Sequence, residues 1–387
     1  MFKYNMKNSK PYKSILKKKN IIIFIFTIVL YIFFSSGVES VPVEDLGIIA
    51  GIGVDVYNTS SETIEYRIPT SIYNYTTSPD IYNIVHYGIG PTFGQTRGDR
   101  QLKLNKKFIV GLERIIIFSE DYSKYSLKPG IDILFSNPNV NDTAFAVVCK
   151  GKSEDILKFP IEGYTTSSDY IEGIISNATY YNFFSDNYKI MDMYVRMDAE
   201  GRNIVIPYIE IKENLPEITG LALFNKDKMV SKIGMEDTKY LNLLRENKVH
   251  GMLSIQKNSK EYIDLYATSK RKVKCEKIND KYNFTIELSI LGDVTSNSLY
   301  IDMYSDSKVK EKFEKEMGET VEEISMGFIK KMQSVYKIDA LELGRVAAAT
   351  FGRGTGTNWN QVICDTDLTK IEVKVKVKVD NMGRGDY

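Results

Sequence analysis

Seven lysines (Lys3, Lys7, Lys10, Lys13, Lys17, Lys18 and Lys19) and no acidic residue stand ahead of "IIIFIFTIVLYIFF", residues 21–34, which is apolar apart from Thr27. A buried core helix rarely follows so many unpaired like charges, so the segment addresses the chain to a membrane or to the export machinery. A spanning helix takes about 20 apolar residues. This run is shorter, and residues 35–38 extend it only slightly. A basic region, an apolar region and a small-residue exit are the three parts of a secretory signal. The lysines are expected to stay on the cytoplasmic side, with the remainder of the chain exported. Two fates follow: cleavage near Ser40, or retention as a signal anchor. The long basic head and the absence of an A-x-A site keep the second in play.

The head takes seven positive charges out of a net +1, which leaves −6 on the exported body. That balance excludes a nucleic-acid binder. The body has roughly 350 residues, enough for two or three domains. Cys149, Cys275 and Cys364 are too few and too far apart for a disulfide scaffold. They read as small buried hydrophobes. The two histidines form no H-x-x-x-H, and no C-x-x-C occurs, so no histidine- or thiolate-held metal is expected. A Ser–His–Asp site would have to use His86, in "NIVHYG", or His250, in "NKVHGM". Neither lies beside a nucleophile motif, and no local pattern selects a glycosidase carboxylate pair. Neither enzymatic activity nor a cofactor is expected. Five N-x-S/T sequons, at Asn58, Asn74, Asn141, Asn177 and Asn283, are accounted for by chance in a chain this rich in Asn, Ser and Thr.

"LGIIAGIGVDV", residues 46–56, is apolar, β-branched and punctuated by glycine, which predicts a buried strand. Its G-I-G lacks the full phosphate-loop spacing, so the glycines read as points of close packing. Further strands are expected at 63–68, 71–75, 114–118, 132–134, 143–149 and 204–211. Pro207 argues for an edge or a bulge in the last of these. Residues 119–124, 163–184 and the stretch on to 197 look helical. Residues 218–233 read as a hairpin around the turn 225–228. A short helix follows at 235–244 with Thr238, Leu241 and Leu244 on one side. More strands are expected at 252–255, 273–277, 282–290 and around Leu299. Val309, Phe313, Met317, Val321, Ile324, Phe328, Met332 and Val335 recur at three- and four-residue steps, which predicts one long, bent amphipathic helix. A second helix is expected at 339–351. "FGRGTGTNW" follows a helix, so its glycines read as a cap and loop in preference to a phosphate cradle. "KIEVKVKVKVD" alternates strictly, with valines on one face and lysines on the other. The lysines guard the edge against pairing, or meet anionic lipid or an acidic partner.

These elements make an α+β chain, a mixed α/β body of two to three domains with antiparallel or mixed sheets flanked by helices. The expected divisions are 1–40, 41–214, 215–380 and a tail, 381–387.

Four stretches in this order resemble the GerAC (Ger(x)C) family of spore germination proteins. They are "VEDLGIIAGIGVDV", "EGRNIVIPYIEI", "ITGLALFNKDKMVSKIGMEDTKYLNLL", and "KKMQSVYKIDALELGR" with the terminal "IEVKVKVKV". The resemblance implies a non-enzymatic C subunit of a germinant receptor, at the outer face of the spore inner membrane. Its partners would be the receptor's A and B membrane subunits, and a nutrient germinant would be met only through the assembled receptor. The readings set against it are an exported soluble binding protein and a hydrolase acting on the cell wall. The family normally carries a lipobox ending in Gly-Cys. Here Gly37 is followed by Val38, and no thiol precedes Cys149. The resemblance therefore implies no lipidation at this point. A retained apolar helix would take the place of the lipid, leaving the N-terminus cytoplasmic.

Overall fold

A computed structural model describes residues 10–35, 42, 45–60, 63–73 and 84–381. The chain forms two compact units, 1–46 and 47–387. The first contains a single described helix, α1 (Lys10–Ser35), which confirms helix for the apolar run. Its large apolar side chains stay exposed, from Ile21 at 57% to Phe34 at 75%. Among the described residues no helix is long and apolar enough to cross a membrane.

The second unit begins with β1 (Leu46–Ser60), β2 (Thr63–Ile72) and β3 (Ile84–Gly90). Next come α2 (Phe93–Gln101), β4 (Lys107–Ile109), β5 (Ile115–Ser119), α3 (Glu120–Tyr125) and α4 (Lys128–Ser136). The chain continues through β6 (Phe145–Cys149), α5 (Ser153–Lys158), α6 (Ser167–Tyr181), α7 (Ile190–Met197) and β7 (Val205–Lys212). The hairpin β8 (Leu215–Asn225) and β9 (Lys228–Gly234) leads into α8 (Met235–Arg245). A second set of strands is β10 (His250–Gln256), β11 (Tyr262–Ile278) and β12 (Lys281–Asn297). The chain ends with α9 (Ser307–Lys331), α10 (Leu343–Phe351), α11 (Trp359–Cys364) and β13 (Thr369–Asn381).

The larger sheet has the order β3-β2-β1-β5-β6-β7-β8-β9, with β4 beside β1. Its centre is parallel: β1 with β5, β5 with β6, and β6 with β7. Every residue of β5 and β6 is buried, as strands covered on both faces require. The glycines of β1 do pack closely. A Cβ on Gly53 would strike Ser153 of α5, and one on Gly51 would strike Ser168 of α6. The smaller sheet has the order β10-β11-β12-β13, antiparallel until the final parallel pair. The body is therefore a mixed α/β structure of two sheets flanked by helices, as the sequence pattern predicts.

Packing runs across the division expected at 214/215. That point is the two-residue turn between β7 and β8, with Glu213 and Asn214 both at positive φ, and the two strands pair in one sheet. One cluster of buried side chains reaches from Val54 in β1 to Val373 in β13.

Two local expectations fail, each for a visible reason, and of the edge or bulge read from Pro207 it is the bulge that is found. Residues 132–134 lie in α4, because Pro129 near its start presets the helical φ and the Tyr122 hydroxyl accepts the Gly130 N–H at 2.9 Å. Leu299 is outside any strand, because the Asn297 side chain accepts from Leu299 N and Tyr300 N and turns the chain. β7 is interior, not an edge. Pro207 is tolerated there because the ladder from β6 reaches only Tyr208 and Ile209, and a bulge against β8 follows at that point.

The long helix forms as predicted. Phe313, Met317, Gly318 and Val321 are buried against the valine face of β13. After Lys331 the backbone slips into a π-turn, Met332–Tyr336, which swings Val335 out of the stripe to 68% exposure. The edge strand β13 is closed by α9 as well as by its lysines. Glu322 accepts the Val375 N–H at 2.7 Å and Glu314 accepts the Val379 N–H at 2.9 Å. Replacing both carboxylates, Glu314→Ala with Glu322→Ala, is expected to cost about 3 kcal/mol, since a hydrogen bond to a charged group contributes about 1.5–3 kcal/mol. Urea unfolding measures the loss, and sedimentation velocity should show new concentration-dependent association through the freed edge.

Candidate functional site

Three of the stretches singled out in the sequence meet at one place: "EGRN" before β7, the end of α8, and "DALELGR" before α10. Glu342 is their centre. Its carboxylate receives Arg196 Nε at 3.1 Å, Arg202 Nε at 3.1 Å and Arg245 Nη2 at 2.9 Å. Burial alone would raise this carboxyl, but Arg245, Arg202 and Arg196 overcome it and hold it at about 2. Arg245 is fully enclosed. It also donates to the carbonyls of Ala340 at 2.6 Å and Asn203 at 2.9 Å, and pairs with Glu246 at 3.1 Å. One guanidinium therefore binds both halves of the chain.

Asp339 is the second buried carboxylate of the cluster. It accepts the N–H groups of Leu343 at 3.1 Å and Gly344 at 2.7 Å. The helix expected at 339–351 thus begins only at Leu343, because Asp339 caps it from outside. Burial pushes the Asp339 carboxyl up to about 6, against the pull of those two N–H groups. Arg271 of β11 closes the cluster by donating to the Leu341 carbonyl at 2.9 Å. Burial and the neighbouring Arg245 lower it to about 10. Backbones approach closely here. A Cβ on Gly201 would collide with Gly344 and Arg345, and one on Gly344 would meet Trp359 at 2.5 Å. Gly201 also stands at φ +68, where glycine is favoured.

Beside this cluster opens a cleft of about 910 Å³. Its walls are the loop 197–203, the β8–β9 turn 225–228 and the loop and helix start 354–360. Glu200 ties the glycine-rich loop down, accepting Gly354 N at 2.7 Å and the Trp359 indole N–H at 3.0 Å. Asn360 bridges the floor, donating to Asn225 at 3.0 Å and accepting from Asn203 at 2.7 Å. The lining mixes Asp198, Glu200 and Asp227 with Arg202, Lys226 and Lys228. Neither histidine and none of the three cysteines lines it. The walls offer hydrogen bonds and charge of both signs, a surface suited to holding a polar group.

The residues weighed in the sequence lie elsewhere. Gly37 and Val38 fall outside the described residues. His86 is on β3 opposite Thr70, and burial with Arg100 nearby lowers its pKa. His250 is at the start of β10, 2.8 Å from the Thr268 hydroxyl. The three cysteines are unpaired. Burial raises all of them, Cys275 and Cys364 to about 12 and Cys149 well above its ordinary value. Among the described residues no group of three acidic, histidine or cysteine side chains is placed to hold a metal. The glycine loop forms the cleft wall after a helix cap, Gly352. Sequence reasoning missed Glu342, Arg245 and Arg196, because a charge inside an apolar helix or loop carries no local mark of its partner.

Comparisons with known proteins bear on the family and the fold. Residues 39–211 match the family described as spore germination protein N-terminal domain, and residues 219–383 match spore germination B3/GerAC like, C-terminal. Spore germination protein GerQC of Bacillus cereus is 28% identical over 145 residues, which is 36% of this chain and 38% of that protein. The match thus spans less than two fifths of the curated relative's length. The crystal structure of the GerBC protein covers 85% of this chain and 97% of its own, with a TM-score of 0.53 and 14% identity. That likeness is one of fold.

Glu342→Gln removes the carboxylate shared by three arginines, of which Arg245 and Arg196 keep only Glu246 and Asp192, and costs about 3 kcal/mol at pH 7. Because the folded carboxyl is depressed, its stabilisation is full above about 4.5 and disappears as pH falls toward about 2. The penalty of the variant should vanish over the same window in urea titrations. Asp339 behaves oppositely. Its folded form is disfavoured once ionised, so Asp339→Asn should gain on the native protein by about 2–3 kcal/mol between pH 4 and pH 7.

Proposed function

This chain belongs to the GerAC-like family of spore germination proteins, and from that membership we propose that it is the membrane-associated C subunit of a germinant receptor. The observation that carries the reading is that both family segments match in order, over 39–211 and 219–383, and are locked together by Glu342 and its arginines. Its partners are a many-spanning A subunit and a membrane-embedded B subunit. Its work is assembly with them and not turnover of substrate. The mixed-charge cleft supports that view, since its carboxylates and amides are engaged with neighbouring backbone and side chains. The division at 214/215 is then one of sequence modules that share a core.

The anchor follows from the leader. Residues 21–34 rise about 21 Å as a helix, against a hydrocarbon core of about 30 Å. Lys19 reaches back to the headgroups. With no thiol ahead of Cys149, a retained helix replaces the lipid anchor of the family and holds the body outside the cytoplasm. The size of the cleft favours a second reading, in which the body alone binds a small polar nutrient.

Spores lacking the gene should fail to answer a nutrient while still germinating with a non-nutrient trigger; an unchanged nutrient response sinks the receptor reading. Mass spectrometry of the native N-terminus should find the leader intact, whereas a start near Val41 would mean a released body. Calorimetry of candidate nutrients with the body alone should show no heat of binding, and a saturable signal would favour the second reading.

A further inference from the structure

The smaller sheet buries one face under α9 and leaves much of the other open, and that face is strongly basic across three rows that lie between two neutral rows and a row holding Tyr266 and Asp293. Strand register fixes its rows. Thr268 of β11, Leu291 of β12 and Lys378 of β13 stand side by side. The next row is Lys270, Ser289 and Lys376, and the one after it Lys272, Glu287 and Lys374. The two further rows, Lys274–Thr285–Glu372 and Glu276–Asn283–Lys370, are neutral. Four net positive charges are thus gathered in three adjacent rows, about 7 Å apart along the strands. All five lysines of those rows are exposed. Glu287 is engaged by Lys274 at 2.5 Å and Glu372 by Lys370 at 2.7 Å. Among the described residues the five lysines have no ion-pair partner of their own. Leu291 stands among them, 47% exposed.

We propose that this open face of β11, β12 and β13 rests on an anionic bilayer surface, with the lysines among lipid phosphates and Leu291 pressed toward the acyl boundary. Three features favour lipid over an acidic protein partner. The charges are all lysine, compact and flexible point charges without the fork that arginine offers for bidentate recognition. They lie on a rigid sheet with the same side chain repeated, which suits a fluid field of phosphates more than one fixed pattern of carboxylates. The body also has net charge −6, so the basic rows are a local concentration and not a general tendency. The choice of lipid rests on the reading of a membrane-side protein, while the charge pattern is independent of it.

The body, residues 47–387, carries both buried clusters and forms one compact unit, so it can be tested without the leader. It should sediment with vesicles of 70% phosphatidylcholine and 30% phosphatidylglycerol and not with pure phosphatidylcholine. The partition should fall steeply as salt rises through the physiological range. The triple variant Lys270→Glu, Lys376→Glu, Lys378→Glu should lose about tenfold or more of that partition, with Lys→Gln at the same positions intermediate. An equal reversal on α9, Lys308→Glu, Lys312→Glu, Lys315→Glu, should leave it nearly unchanged. No binding to the anionic vesicles, or equal loss in both triple variants, would overturn the assignment. Retention by polyglutamate without vesicle binding would do the same and point to an acidic protein. An intact leader in the membrane fraction, together with a body that ignores vesicles, would remove this face and leave the anchor standing.

Discussion

One carboxylate surrounded by guanidinium groups holds the body together. Glu342 sits almost without water, and its charge is tolerable only because Arg196, Arg202 and Arg245 all reach it. The arginines depend on it unequally: Arg245 also pairs with Glu246 and Arg196 with Asp192, while Arg202 is only partly buried. Such a cluster is weak evidence for net stability, because desolvation offsets most of the attraction. Its effect is on uniqueness: the loop before β7, the end of α8 and the turn into α10 can satisfy one another in a single arrangement. Glu342 itself takes a left-handed backbone, φ +56, so that its side chain points into the cluster while Asp339 caps the helix behind it.

The cleft follows from that arrangement. Gly201 and Gly344 let two backbones meet, and Trp359 packs over the joint. Glu200 then draws the glycine loop toward the indole, leaving open space between the loop and the β8–β9 turn. In the smaller sheet the governing constraint is different. A parallel final strand must end a sheet whose other face is open, and β13 leaves backbone groups unpaired at its edge. Two glutamates of α9 take the exposed N–H groups at Val375 and Val379, so helix and strand are fixed in register by hydrogen bonds as well as by the valine face.

Elements with strong periodicity were legible before any coordinates. The valine–lysine alternation of β13, the placing of Thr238, Leu241 and Leu244 on the inner side of α8, and the stripe of α9 at Phe313, Met317, Val321 and Phe328 hold, while Ile324 and Val335 are exposed. Failures came where a single hydrogen bond outweighed propensity, as at Gly130 in α4 and at Asn297 after β12. Pro207 suggested an edge or a bulge, and the bulge beside it, with a short neighbouring ladder, lets an interior strand lack that N–H. The candidate site was legible only as an association of stretches. "EGRN" and "DALELGR" carried the family resemblance, and nothing local in either says that they touch.

The sequence alone determined the apolar run 21–34, the buried and wet faces of the strands and helices, and the family, because these depend on the order and period of residues within short stretches. Only the tertiary structure decided that β8 and β9 complete the larger sheet, that Arg196 and Glu342 pair across 146 positions, and that the lysines of two strands fall into common rows. Pairing of charges and register of strands are set by which surfaces dock, and docking is a property of the whole chain's core, not of any window within it.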